Sequence, residues 1–146
     1  MTDEQRKAVA LEYLKALDAG GVTSNGGSIF DLFARDAQVY FPKWGVAKGR
    51  DQIEKLFSDL GGKLKSIAHH YPTLNWIFSG GDTIVCEGTS HGEHADGSWR
   101  AGEPDWGAGR WCDVFEIRDG LIQRCFIYLD PDYAGKDTER YPWIKK

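Results

Sequence analysis

The amino-acid sequence predicts an α+β domain in which a cone-shaped, curved antiparallel sheet wraps around N-terminal helices and encloses an interior pocket. Three observations carry this. Apolar residues recur at helical spacing as far as Leu60, and the period falls to two from Lys65 onward. Two alternating runs then meet at Asp119-Gly120, the strongest short hairpin signal a sequence offers. Helices gathered on one face of an antiparallel sheet let each element bury its apolar side. A curved sheet closed by helices leaves one mouth, and a small molecule binds there.

Thr2 and Gln5 have the form of a capping box, after which Val9, Tyr13, Ala16 and Leu17 recur at helical spacing until Gly20-Gly21 stops the run. Residues 22–27 read as a polar, Gly-rich loop. Ser28 can cap a short helix through Ile29, Phe30, Leu32 and Phe33. A strand follows from Asp36 to Phe41, and Pro42-Lys43-Trp44-Gly45 ends it in a loop, where a ring as large as Trp44 covers something, either as a lid or as satellite core. A third helix runs from Arg50 to Leu60, with Ile53, Leu56, Phe57 and Leu60 inward and Gly61-Gly62 as its stop. Leu74, Trp76 and Phe78 alternate with Asn75 and Ile77, and Gly80-Gly81-Asp82 turns the chain into a strand from Thr83 to about His94. Asp96-Gly97 turns it again. The stretch from Ser98 to Ile117 reads as one long strand interrupted by a Gly- and Pro-rich irregularity around Gly102 to Gly109. Residues 131–146 carry Tyr133, Tyr141 and Trp143, too aromatic for a plain disordered end, and are expected to pack on the domain or on a partner chain.

A chain of 146 residues fits one domain with a real core. Six Trp and six Tyr exceed what a minimal core needs, and surplus rings line cavities or interfaces. The net charge of -4 is spread over interspersed signs with no basic cluster, which excludes nucleic acid and anionic membranes as partners. Cys86, Cys112 and Cys125 show no metal-ligand spacing and read as reduced thiols. The N-terminus lacks an apolar signal core and no apolar run approaches a membrane span, so a soluble, cytoplasmic protein is expected.

Within the run before the hairpin, Trp111, Asp113, Phe115 and Ile117 share one face, which sets a carboxylate among apolar neighbours. Burial without a charged partner would keep Asp113 neutral, as a hydrogen-bond donor. No phosphate loop, dinucleotide fingerprint or nucleophile-His-acid order is present, and no cofactor or metal is expected. His91 and His94 project to opposite faces of a strand, a poor metal pair.

The stretches Glu12 to Gly20, Leu32 to Ala37, Gly49 to Ile53, Gly81 to Val85 and Asp113 to Ile122, in that order and spacing, resemble the SnoaL-like branch of the nuclear transport factor 2-like superfamily. The resemblance implies the cone fold and a homodimer through the outer sheet face, where Phe126 and Tyr128 lie beside Arg124. It leaves the activity open, because this fold hosts isomerases, dehydratases, cyclases, hydrolases and non-catalytic binding domains. By resemblance to the ketosteroid isomerases, Tyr13 and Asp113 fall on the two donors of an oxyanion hole. The base of those enzymes sits just before a Pro, where this chain has Phe41. The limonene epoxide hydrolase positions appear here as Gly88, Ser90 and Ile127, without the charges that chemistry needs. The branch with scytalone dehydratase uses a His on the second strand paired with an Asp. That segment resembles His70-Tyr71, with His69 as the alternative if the register differs, and Asp18 as a possible partner.

The leading expectation is therefore a cofactor-free isomerase, dehydratase or cyclase acting on a small apolar molecule. His70 would be the base, Tyr13 and Asp113 the donors, and Phe41, Trp44, Trp111, Phe115 and Ile127 the pocket lining. The alternative is a binding or dimerisation domain without turnover.

Overall fold

The computed structural model describes residues 1–95, 97–99 and 109–131. Helix α1 (Asp3–Asp18) starts at the expected capping box: the Gln5 amide donates to Thr2 Oγ1 and the Thr2 amide donates to Gln5 Oε1. It stops where Gly20 and Gly21 take positive φ. Ala10, Tyr13, Leu14 and Ala16 are its buried stripe, with Val9 and Leu17 at the margins. Arg6, also buried, sets the helix on the sheet by donating from Nε to the Ile117 carbonyl at 3.2 Å and from its guanidinium to Asp82 at 3.1 Å.

A 3-10 turn at Ile29–Leu32, capped by Ser28, leads into β1 (Phe33–Phe41), and β2 (Gly45–Lys48) folds back on it. The stretch after Phe41 is thus a tight hairpin rather than an open loop, with Lys43 and Gly45 in the left-handed region. Helix α2 (Gly49–Lys63) runs through Gly61-Gly62 instead of stopping there. Neither glycine takes the positive φ of a helix stop, and the chain passes directly into β3 (Leu64–His69), so tertiary context overrides a weak local signal. After a turn at Tyr71–Thr73 come β4 (Asn75–Phe78), β5 (Thr83–His94), β6 (Gly97–Trp99), β7 (Arg110–Arg118) and β8 (Leu121–Leu129).

These strands form one curled sheet in the order β2-β1-β8-β7-β5-β3, with β4 and β6 also paired to β5. The β7–β8 hairpin turns at Asp119 and Gly120, φ 54° and 75°, the two left-handed residues its tight turn requires. The sheet is mixed, not wholly antiparallel: β1 runs parallel to β8, bringing the N-terminal strand to the C-terminal one. With two α-helices laid in its concave face, the sheet is a half-barrel of the expected α+β cone type. Among the described residues no helix is long and apolar enough to cross a membrane. The expected irregularity around residues 102–108 and the docking of the aromatic tail lie outside the described residues, Pro131 apart.

Candidate functional site

Strand alternation decides what faces the concave side. On β7 the inward residues are Trp111, Asp113, Phe115 and Ile117, as the period predicts, and on β8 they include Cys125 and Ile127. The last turns of α1 and α2 close over this face. Between them lies a cavity of about 50 Å³, room for a few waters or one small functional group. Tyr13, Phe41, His69, Trp111, Asp113 and Ile127 all line it.

Asp113 is 3% exposed, and its Oδ1 has no hydrogen-bond partner among the described residues. Burial pushes its carboxyl up to about 8, so at neutral pH it is a protonated acid with a proton to share. Trp111 Nε1 is likewise buried without a partner among the described residues. Two such residues lining one cavity from the same strand face are a costly feature of an interior, and a ligand's polar atom would relieve it. The Trp111 ring reaches across β5 because residue 88 is glycine: a Cβ there would lie 2.6 Å from Leu74 Cδ2 and 3.0 Å from Trp111 Cζ2. The ring thereby meets His69 edge-on, centroids 5.2 Å apart.

His69 ends β3, opposite Ser90, with its side chain turned inward and almost wholly buried. Its Nδ1 lies 2.5 Å from Oδ1 of Asp18, the last residue of α1. A carboxylate only accepts, so Nδ1 carries a proton, and Nε2 is the nitrogen left to exchange one with a ligand. Asp18 Oδ2 accepts twice more, from the His69 amide at 3.1 Å and the Tyr71 hydroxyl at 2.7 Å. Burial pulls the Asp18 carboxyl upward, but these bonds, that to His69 first, outweigh it and hold the group below its ordinary value. Burial and the Asp18 charge push the Tyr71 hydroxyl well above the usual phenol range. The result is an ionised acid orienting an imidazole, across one cavity from a neutral acid. Among the described residues no group of three His, Cys, Asp or Glu could hold a metal ion.

The SnoaL-like domain model matches residues 10–125. The chain belongs to the SnoaL-like domain family. Among solved structures it is similar to a nuclear transport factor 2-like protein from Anabaena variabilis, at 19% identity and TM-score 0.68 over 91% of this chain and 96% of that one. It is also similar to a candidate polyketide cyclase from Xanthomonas campestris, at 14% identity and TM-score 0.66 over 90% and 96% of the two chains. A third, TerC co-crystallised with polyporic acid, shares 16% identity and TM-score 0.62 over 86% and 92%. Likeness at these identities is likeness of fold. No curated protein sequence matches the chain.

Within this SnoaL-like domain the sequence expectations divide. Tyr13, Phe41, Trp111, Asp113 and Ile127 meet at the cavity. Tyr13 is wholly buried between the Phe33, Phe57 and Phe115 rings. Phe115 lies behind it, in the core rather than on the cavity wall. Trp44 is 39% exposed and stacks on Phe41 from outside, centroids 5.1 Å apart, so it covers a wall residue without lining the cavity.

Of the two histidines the sequence leaves open, it is the alternative, His69, that lines the cavity. His70 does not reach the cavity. Strand β3 ends one residue earlier, so His70 turns to the other face, where Nδ1 meets Thr89 Oγ1 and Nε2 meets His91 Nδ1, each at 2.8 Å. Burial and then His91 lower its pKa. Parity was not readable because Lys65 to Ala68 shows no clean alternation. Asp18 entered as a possible partner only through the family resemblance; nothing in the spacing ties it to a residue more than fifty positions away. Gly88 and Ser90 lie on the same inward row of β5, and neither carries a charge.

Proposed function

We propose that this SnoaL-like domain is a cofactor-free acid–base catalyst, an isomerase, dehydratase or cyclase, for a small, largely apolar molecule bearing a carbonyl or hydroxyl oxygen. The observation that carries the reading is the Asp18-oriented His69 facing the same cavity as neutral Asp113. His69 Nε2 takes a proton from a carbon beside the carbonyl. Asp113 and the Trp111 N–H donate to the oxygen as it gains charge. The imidazolium that forms is held by Asp18, and it returns the proton either to another carbon, completing an isomerisation, or to a departing hydroxyl, releasing water. The His69–Asp18 pair supplies the base that Phe41 does not.

A second reading, binding without turnover, is favoured by the apolar Phe41 at the place of the ketosteroid isomerase base. One experiment separates the two. Compounds captured from extracts are identified by native mass spectrometry and then incubated with the protein and with His69→Gln. Catalysis predicts turnover that falls by roughly 100-fold or more in the variant, the usual worth of a positioned base, while capture persists. Turnover unchanged in His69→Gln would refute the assignment of the base.

We also propose that two copies pair through the outer sheet face. Tyr40, Phe126 and Tyr128 form a ring cluster there, with the Arg124 guanidinium over Phe126, and Tyr128 is 47% exposed. The free cysteines suit a reducing, cytoplasmic setting.

A further inference from the structure

A second, much larger space adjoins the catalytic cavity. It measures about 600 Å³ and lies between the end of α1, the 3-10 turn, one face of α2 and β3. Its origin is legible in the side chains. Gly20 and Gly21 end α1 and Gly61 sits in the last turn of α2, and a Cβ on Gly20 or Gly61 would meet nothing within 4 Å. Where these residues place no side chain, the rings of Phe30 and Phe57 face open space. The two spaces are not independent. Leu17, Leu60, Leu64 and Ile67 line both, so a single apolar constriction separates them. Asp18 lines the outer chamber while its partner His69 lines the inner one, which puts the dyad at the passage.

The contrast in size and polarity limits what fits. The inner cavity of about 50 Å³ admits one functional group, and its lining carries Asp113 Oδ1 and Trp111 Nε1, both buried without a hydrogen-bond partner among the described residues. The outer chamber has the size of a typical small-molecule site and mostly apolar walls. Its charged lining is Asp18, Glu54 and Lys65, two carboxylates to one ammonium, which disfavours an anionic ligand.

We propose that the outer chamber holds the apolar ring body of a neutral, two-part molecule, whose single carbonyl or hydroxyl end passes the leucine–isoleucine constriction to reach Asp113 and Trp111. Gly61 is then a specificity-determining residue, because it keeps the chamber open. This deepens the catalytic reading and rests on it for the chemistry at the inner end, but its test needs no turnover.

The probes are 2-naphthol, naphthalene and 2-naphthoate, titrated by calorimetry and by amide chemical shifts. 2-Naphthol is expected to bind most tightly of the three, shifting amides of α2 and of Trp111 to Asp113. Gly61→Phe fills the chamber from a helical position with open space around it, so folding is retained. The substitution should weaken 2-naphthol and naphthalene alike, on the order of tenfold or more, with an unchanged circular dichroism spectrum. Asp113→Ala should bring 2-naphthol down to the affinity of naphthalene. Unchanged 2-naphthol affinity in folded Gly61→Phe, preference for 2-naphthoate, or binding of none of the three would each overturn the proposal. The imidazole ¹⁵N shifts of His69 in the unliganded protein report the dyad separately. Loss of the Nδ1-protonated form there would sink the catalytic reading while leaving the chamber result standing.

Discussion

Replacing Asp113 by Asn tests the buried acid directly, because it swaps a titrating group for a neutral one of the same shape. In the folded chain burial pushes the carboxyl up to about 8 from its ordinary value of 3.8. The native state therefore holds its proton in a pH range where the unfolded chain has lost it. Native Asp113 stability is fully present below about pH 4 and is lost as pH rises toward 8, at about 1.4 kcal/mol per unit. Between pH 5 and pH 7 the loss is about 3 kcal/mol, an order-of-magnitude figure. The Asn variant lacks this term but shares every other titrating group. Urea melts of both proteins at half-unit steps from pH 5 to pH 8 should give a difference that grows steadily in favour of Asn. A pH-independent difference would mean that Asp113 titrates like an exposed acid, and would remove it as a neutral donor.

Three further substitutions probe the elements that build the site. Asp18→Asn removes a carboxylate held below its ordinary value, first against burial and then by its bond from His69, so its stabilisation is present above pH 4 and lost as acid protonates it. The variant should be less stable than the parent at pH 7, with the gap closing toward pH 3 in thermal melts, and His69 should lose its single tautomer by ¹⁵N NMR. Gly88→Ala places a Cβ 2.6 Å from Leu74 Cδ2 and 3.0 Å from Trp111 Cζ2, and overpacking there should cost about 1–3 kcal/mol in urea denaturation and displace the Trp111 indole resonance. Tyr71→Phe deletes the 2.7 Å bond to Asp18 without emptying the site. It should cost about 1 kcal/mol and move the apparent Asp18 pKa upward in a carboxyl NMR titration.

Much of the architecture was legible because it rests on local rules. The Thr2–Gln5 box, the Gly20-Gly21 stop, the Ser28 cap, the limits of β5 and the Asp119-Gly120 turn each follow from residues within a few positions of one another. Less legible were β2 and β3. Four residues after a tight turn carry no periodic signal, and Leu64 to His69 mixes Lys, Ser and Ala with its apolar residues. The parallel pairing of β1 with β8 joins the two ends of the chain, and no local pattern encodes it.

The candidate site divides along the same line. Its inner wall was determined by the sequence alone: a strict two-residue period puts Trp111 and Asp113 on one face, and the helical stripe brings Tyr13 over them. Tertiary structure alone decided which histidine faces Asp113. Where β3 ends sets the parity of its last residue, and that end is fixed by pairing with β5 rather than by anything in His69-His70 itself. It also decided that Asp18 is the partner of that histidine, since the contact spans the gap between the end of one helix and the end of one strand. Short-range sterics and periodicity act within a segment and can be read from it. The His69–Asp18 pair and the chamber beside it exist only where separate segments meet.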